Sequence, residues 1–238
     1  MNIDDPVFLQ SDQSFLGALQ LADSLFPSGR YTLSHGLEMF VEAHRVVDAA
    51  SLEAVVRDYL TDSLGTCETV AVARVNEEAN GGDLDQIVRI DHLVHALRLP
   101  SELWSSSART GRQLIATGRK LMDSPILDLF AEEVNAGRAV GSHAVVFGIV
   151  TAGWNIDART AVLAELYAYT AALVGAALRL IRLDHVESQA IIHRLSHDMT
   201  VAADTAMGMR VDDMHAFAPM IDIMQMQHER ARMRLFAS

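Results

Sequence analysis

Phe26-Pro27-Ser28-Gly29-Arg30-Tyr31-Thr32-Leu33-Ser34-His35-Gly36-Leu37-Glu38 is the stretch on which the reading of this chain turns. Pro27 lacks an N–H and Gly29 tolerates positive φ, so the pair stops the helix that Leu16, Leu19, Gln20 and Leu21 begin. A second helix is expected to follow, its start capped by Ser34 and supported by Glu38. On both sides of this break the chain reads as amphipathic helix.

Leu52, Val55, Val56, Tyr59, Leu60 and Leu64 recur at helical spacing, with Ser51 placed to cap them. Leu84, Ile87, Val88, Val94 and Leu97 do the same after the Gly81-Gly82-Asp83 break. Pro100 opens a helix at its first turn that runs to Leu121. Asp123-Ser124-Pro125 separates it from a helix over 126–136, which Asn135-Ala136-Gly137-Arg138 terminates. An apolar helix is predicted over 142–154, and Asp157 caps a longer one reaching Leu180. Two more are predicted over 186–207 and 219–235. Strand signals are few. The pattern predicts an all-α fold, a single compact domain of roughly eight to ten helices over 14–238. Residues 1–13 are polar and acidic, and a poorly ordered tail is expected there.

Half of the 238 residues are hydrophobic (50%), enough for a sizeable core. A formal net charge of −12 argues against nucleic acid and anionic membranes as partners, since both demand basic patches. The single cysteine, Cys67, excludes an intrachain disulfide and suits a reducing compartment. It lies in a run that reads as helix interior, so a structural thiol is expected. The acidic start lacks the basic region of a secretory signal, and the longest charge-free apolar run, 166–178, falls short of the ~20 residues that span a bilayer. A cytoplasmic location is the expectation.

Ten histidines invite a metal reading. His92 and His95 stand three apart and His193 and His197 four apart, so each pair is predicted to share a helix face. The second pair lacks the adjacent glutamate of a helical zinc protease. Two histidines make half a site, and stable metal binding is not expected. Around Gly111 to Lys120 the glycine spacing is wrong for a phosphate loop, and no nucleophile elbow occurs. These features specify no catalytic site. The methionines Met214, Met220, Met224, Met226 and Met233 suit either a core or an interface. Arginines 109, 112 and 119, and again 230, 232 and 234, form basic islands that suit a solvated face or a partner anchor.

Five segments, in order, are similar to the UreF family of urease accessory proteins. They are Leu19 to Gly29 with Ser34-His35-Gly36-Leu37-Glu38; Ser107-Ala108-Arg109-Thr110-Gly111-Arg112-Gln113-Leu114; Ser142-His143-Ala144-Val145-Val146-Phe147-Gly148; Leu173 to Leu183, continuing to Gln189; and Ile221 to Glu229, ending in Arg234-Leu235-Phe236-Ala237-Ser238. Arg30 departs from the pattern, standing where that family usually has a small residue.

The resemblance implies an all-α homodimer with no catalytic, cofactor or metal residues of its own. It implies a nickel-insertion co-chaperone that joins a UreD/UreH-like protein on apo-urease and recruits and gates the GTPase UreG. On that reading GTP and nickel are handled by partners. The partner-binding residues are then expected among Pro27, Ser28, Gly29, Tyr31, His35, Arg179, Arg182, Asp222, His228, Glu229, Arg234, Leu235 and Phe236. The loop 27–35 and the turn 179–183 are favoured for the GTPase, and the C-terminal end for the UreD-like protein. The alternatives are an α-helical histidine-based metal-binding protein using His193 and His197, and a helical enzyme with a dispersed site.

Overall fold

The computed structural model describes residues 6–231 and 234–237. Among them there is no strand, and the all-α expectation holds. The helices are α1 (Pro6–Ala22), α2 (Leu37–Glu42), α3 (Ala49–Asp58), α4 (Glu68–Gly81), α5 (Leu84–Ala96), α6 (Ser101–Leu121), α7 (Pro125–Asn135), α8 (His143–Gly153), α9 (Ala158–Leu180), α10 (His185–Arg194), α11 (Ser196–Gly208) and α12 (Pro219–Arg230). The pieces are more numerous than expected, because α2 is short and the helix predicted over 186–207 breaks at Leu195.

Local chemistry explains most boundaries. Ser124 caps α7, with Pro125 at the first helical position. Asp157 accepts the Thr160 N–H at 3.0 Å and starts α9 as expected. Three starts differ from expectation. Asp48, not Ser51, caps α3: its carboxylate accepts the Ser51 N–H at 2.9 Å, and the Ser51 hydroxyl oxygen accepts the Asp48 N–H at 3.1 Å. Gly36 precedes α2 with φ +87° and no side-chain cap, because a Cβ there would stand 2.8 Å from Gln225 of α12. Finally, α1 begins at Pro6, inside the expected tail, whose residues 1–5 lie outside the described residues. Past Asp58 the chain continues as a π-helical turn over Tyr59–Leu64, and buried Cys67 precedes α4 rather than sitting within a helix. Burial pushes its thiol well above the usual range and leaves it inert.

The centre is α8, an apolar helix buried from His143 to Ala152. It packs mainly on α4 and α6, and α9 closes the other side of α4. One cluster of buried apolar side chains runs from Ala18 to Phe236. By length and composition α9 would cross a bilayer, but 61% of its most apolar window is buried in the protein, which is how a core helix reads. Ala176 and Ala177 are buried, whereas Gly175 faces open space, so no helix approaches closely there. That open space is a groove of about 1200 Å³ along α1, α9 and α10, walled by Phe15, Leu19, Leu163, Tyr167, Leu178 and Ile192.

Candidate functional site

The first three segments singled out in the sequence meet in the interior. Asp91 of α5 is fully buried, and its carboxylate accepts the N–H groups of Val140, Gly141 and Ser142 at 2.6, 2.9 and 2.8 Å. The Ser107 hydroxyl of α6 accepts the His143 N–H at 3.0 Å. These bonds satisfy the amides leading into α8, which have no helical partner. Gly111, one turn beyond Ser107, lets the Gly141 carbonyl lie directly on α6: a Cβ there would stand 1.9 Å from that oxygen. The result fixes His143 at the head of α8, pointing inward, with Nε2 3.6 Å from Glu165 of α9.

Glu165 forms an ion pair with Arg30 from the loop after α1. His35 joins from the same loop. Its φ is +52°, its ring lies 4.4 Å from that of Tyr169, and its carbonyl accepts the Tyr59 hydroxyl and the Gln225 amide. A second ion pair, Arg98 to Glu68 at 2.7 Å, completes the ring. Arg30, His35, Glu68, Arg98, His143, Glu165 and Tyr169 together wall a small chamber of about 30 Å³.

Their charge states follow from burial. Taking His35 out of water, with Arg30 and Arg98 nearby, drives its pKa down to about 3. His143 is lowered by burial and then by Arg30. Burial alone would raise Glu165, but Arg30 and His143 beside it together outweigh that and hold the carboxyl at about 2. His35 is therefore neutral in the folded protein down to about pH 3 and protonated in the unfolded chain below pH 6.5, and His143 is shifted in the same direction. The unfolded state then binds more protons, so stability falls as pH drops from 6.5 toward 3, by about 1.4 kcal/mol per pH unit for His35. Urea titrations at pH 7 and pH 5 are expected to show the loss, and His35→Gln to flatten the slope by that much.

A second cluster gathers the C-terminal end. His228 of α12 is fully buried between two carboxylates: Nδ1 is 2.7 Å from Glu102 and Nε2 3.1 Å from Glu38. Glu38 also accepts the N–H groups of Leu235 and Phe236 at 2.8 and 3.3 Å, and Arg234 reaches Glu102 at 2.8 Å. Ala237 donates to the Thr32 carbonyl at 2.8 Å. The Arg179 guanidinium lies over the Phe236 ring, 4.2 Å from its centroid. Glu229 accepts the Glu102 N–H and the Ser101 hydroxyl, capping α6. Residues 234–237 are therefore folded back as a strap held by Glu38. Glu38→Ala is expected to free it, read as faster carboxypeptidase trimming with α-helical circular dichroism unchanged.

Several expected site residues thus converge. His35, Arg179, His228, Glu229, Arg234 and Phe236 all join the chamber or the strap, which share the loop 26–38. Tyr31 lies in the 3₁₀ turn Arg30–Thr32 of that loop. Pro27 and Gly29 are exposed, Ser28 is half-buried on the groove, and Arg182 is exposed at the end of α9. Asp222 is half-buried on α12, its pKa raised by burial. Phe236, expected to await a partner together with Leu235, is buried on its own chain, while Leu235 stays 61% exposed. The last helix stops at Arg230 rather than Leu235; Arg232, Met233 and Ser238 lie outside the described residues. The methionine stripe divides, with Met214 and Met224 buried and Met220 and Met226 exposed.

The histidine pairs behave differently. His193 lies in the last turn of α10 and His197 in the first turn of α11, so the pair does not share one continuous helix. His92 bonds the Arg138 carbonyl at 2.9 Å, and His95 meets the edge of Trp104. No three histidine, cysteine or carboxylate side chains stand together as a metal set among the described residues. Sequence reading passed over Asp91, Glu102, Glu165 and Gln225. Only Glu165 leaves a local trace, a lone charge in the apolar run 161–174.

The chain has relatives among known proteins. The UreF family model matches residues 46–196. A urease accessory protein UreF from Trichodesmium erythraeum is 30% identical over 223 residues, covering 94% of this chain and 96% of that protein. Another, from Yersinia enterocolitica, is 27% identical over 220 residues, covering 92% and 96%.

Proposed function

Because the chain belongs to the UreF family of urease accessory proteins, we propose that it is a non-catalytic maturation factor for urease. In this reading it joins a UreD/UreH-like protein on apo-urease, recruits and gates a UreG-like GTPase, and so assists nickel insertion. It works by binding, as a cytoplasmic homodimer with no stably held cofactor. Nickel and GTP are the partners' business.

The observation that carries the reading is the gathering of the loop 26–38, the end of α9, α12 and the strap 234–237 in one connected set of contacts. A surface assembled from four remote pieces couples them: a partner that seizes the strap disturbs Glu38, and through it His228 and the loop. Coupling of this kind is worth typically 1–3 kcal/mol, about 5- to 150-fold in a second partner's affinity. Leu235, exposed on the strap beside Arg234, is the apolar handle on that surface.

Deletion of residues 230–238 is expected to abolish pull-down of the UreD-like protein. The milder Leu235→Ser leaves the Glu38 bonds to the backbone in place and is expected to weaken that pull-down at least tenfold. Full retention by both variants would remove the strap from the partner surface. The metal-binding alternative is not favoured by the separated positions of His193 and His197.

A further inference from the structure

The chamber behind Arg30 has more polar atoms than the protein satisfies. Both ring nitrogens of His35 and of His143, Oε2 of Glu165, Oε2 of Glu68, Nε of Arg98 and the Ser34 hydroxyl are buried with no hydrogen-bond partner. His35, His143, Glu68 and Glu165 are each more than nine-tenths buried. Leaving such groups unpaired costs about 1–3 kcal/mol each, and native interiors rarely do so. All but Ser34 belong to residues that line a space of about 30 Å³. A cavity needs about 10–15 Å³ to hold a water molecule, so there is room for about two.

The set of unpaired groups also discriminates between guests. It mixes acceptors (two carboxylate oxygens, one nitrogen of each neutral imidazole) with donors (the other imidazole N–H, the Arg98 N–H). Water donates and accepts, and matches both kinds. A divalent cation matches only the acceptors. It would share the chamber with the guanidinium charges of Arg30 and Arg98, each already balanced by one glutamate. The large groove along α9 reaches inward to Arg30 and His143, and the same two residues wall the chamber from the other side. Arg30 is only 12% exposed at its side chain and is tied to Glu165.

We propose that the chamber is a built hydration site, holding one or two water molecules that complete the hydrogen bonds of His35, His143, Glu68 and Glu165, and that Arg30 is the stopper separating it from the groove. The inference concerns this chain's own interior and stands apart from the urease reading. Arg30 is one of the two residues that groove and chamber share, and a small side chain in its place would join them into a continuous polar path.

The test is a crystal structure of the full chain at about 1.5 Å, grown without metal and then soaked in nickel and in zinc, with anomalous data collected at each edge. Ordered water peaks within hydrogen-bond distance of the His35 and His143 rings and the free glutamate oxygens, with no anomalous signal, are expected. A dry chamber, or an anomalous peak inside it, overturns the proposal. The stopper is tested by Arg30→Ser combined with Glu165→Gln, which avoids leaving a buried carboxylate unpaired. Water magnetic relaxation dispersion is expected to show the long-lived waters of the wild type shortened at least tenfold in residence. Unchanged residence in a folded double variant overturns the stopper role.

Discussion

Gly111→Ala is expected to be among the most damaging single substitutions in this protein. The added methyl would stand 1.9 Å from the Gly141 carbonyl oxygen, 3.0 Å from its carbon and 3.1 Å from the His143 nitrogen. All three are backbone atoms, held by Asp91 and Ser107, so no flexible side chain can move aside. Either α6 withdraws from α8, opening the core around buried Leu114, or the 139–142 turn shifts and loses its bonds to Asp91. Overpacking of this kind costs typically 1–3 kcal/mol and more where backbone is the obstacle, so a loss of about 3 kcal/mol or more is expected. For a chain of this size that lowers Tm by about 6–12 °C. Differential scanning calorimetry checks it. A Tm within 2 °C of the wild type would mean that the α6–α8 crossing is looser than described.

Asp91→Ala is expected to do comparable harm by another route. One carboxylate, fully buried, serves three backbone N–H groups in succession. Its loss strands two or three buried donors, at about 1–3 kcal/mol each, against a typical domain stability of about 5–15 kcal/mol. A loss of about 4 kcal/mol is expected by urea titration. Asp91→Asn keeps the shape but turns an NH₂ toward at least one of the three donors, and is expected to recover less than half of it. Because the turn carries His143, both variants are also expected to raise hydrogen exchange at the head of α8 before anywhere else in the core.

The two substitutions mark where sequence reading works and where it stops. Helix positions were legible because their causes are local. Asp157 three residues before Thr160, Pro125 after Ser124, and the apolar run of α8 each carry their instruction within a turn or two. The break at Phe26 to Gly29 was legible for the same reason. Boundaries failed where a distant element decides them. Gly36 replaces Ser34 at the head of α2 because Gln225, 189 residues on, occupies the space. Glu38 stands in the first turn of α2 as expected, but its carboxylate is also claimed by His228 and the strap, which the sequence does not show. The split between α10 and α11 is marked by Leu195, which is fully buried. Gly111, Ser107 and His143 were visible as a family-like pattern. Their reason, one backbone carbonyl laid against a helix and one imidazole turned inward, exists only in three dimensions.

A division of labour follows. The polar interior around Glu165 and Asp91 fixes the loop 26–38 and the head of α8. The strap over Arg179, with Leu235 exposed on it, is the part that the proposed reading gives to partner contact. A maturation factor of the UreF family, on the proposed reading, uses the first to hold the second in shape.

The most direct measurement co-expresses this chain with its host's apo-urease, UreD-like and UreG-like proteins, purifies the assembly through the UreD-like subunit, and assays urease after nickel and GTP are supplied. The account predicts that UreG-like protein is retained and urease activated only when this chain is present, and that both are lost together in the 230–238 deletion. Retention of the GTPase and full activation without this chain would contradict it.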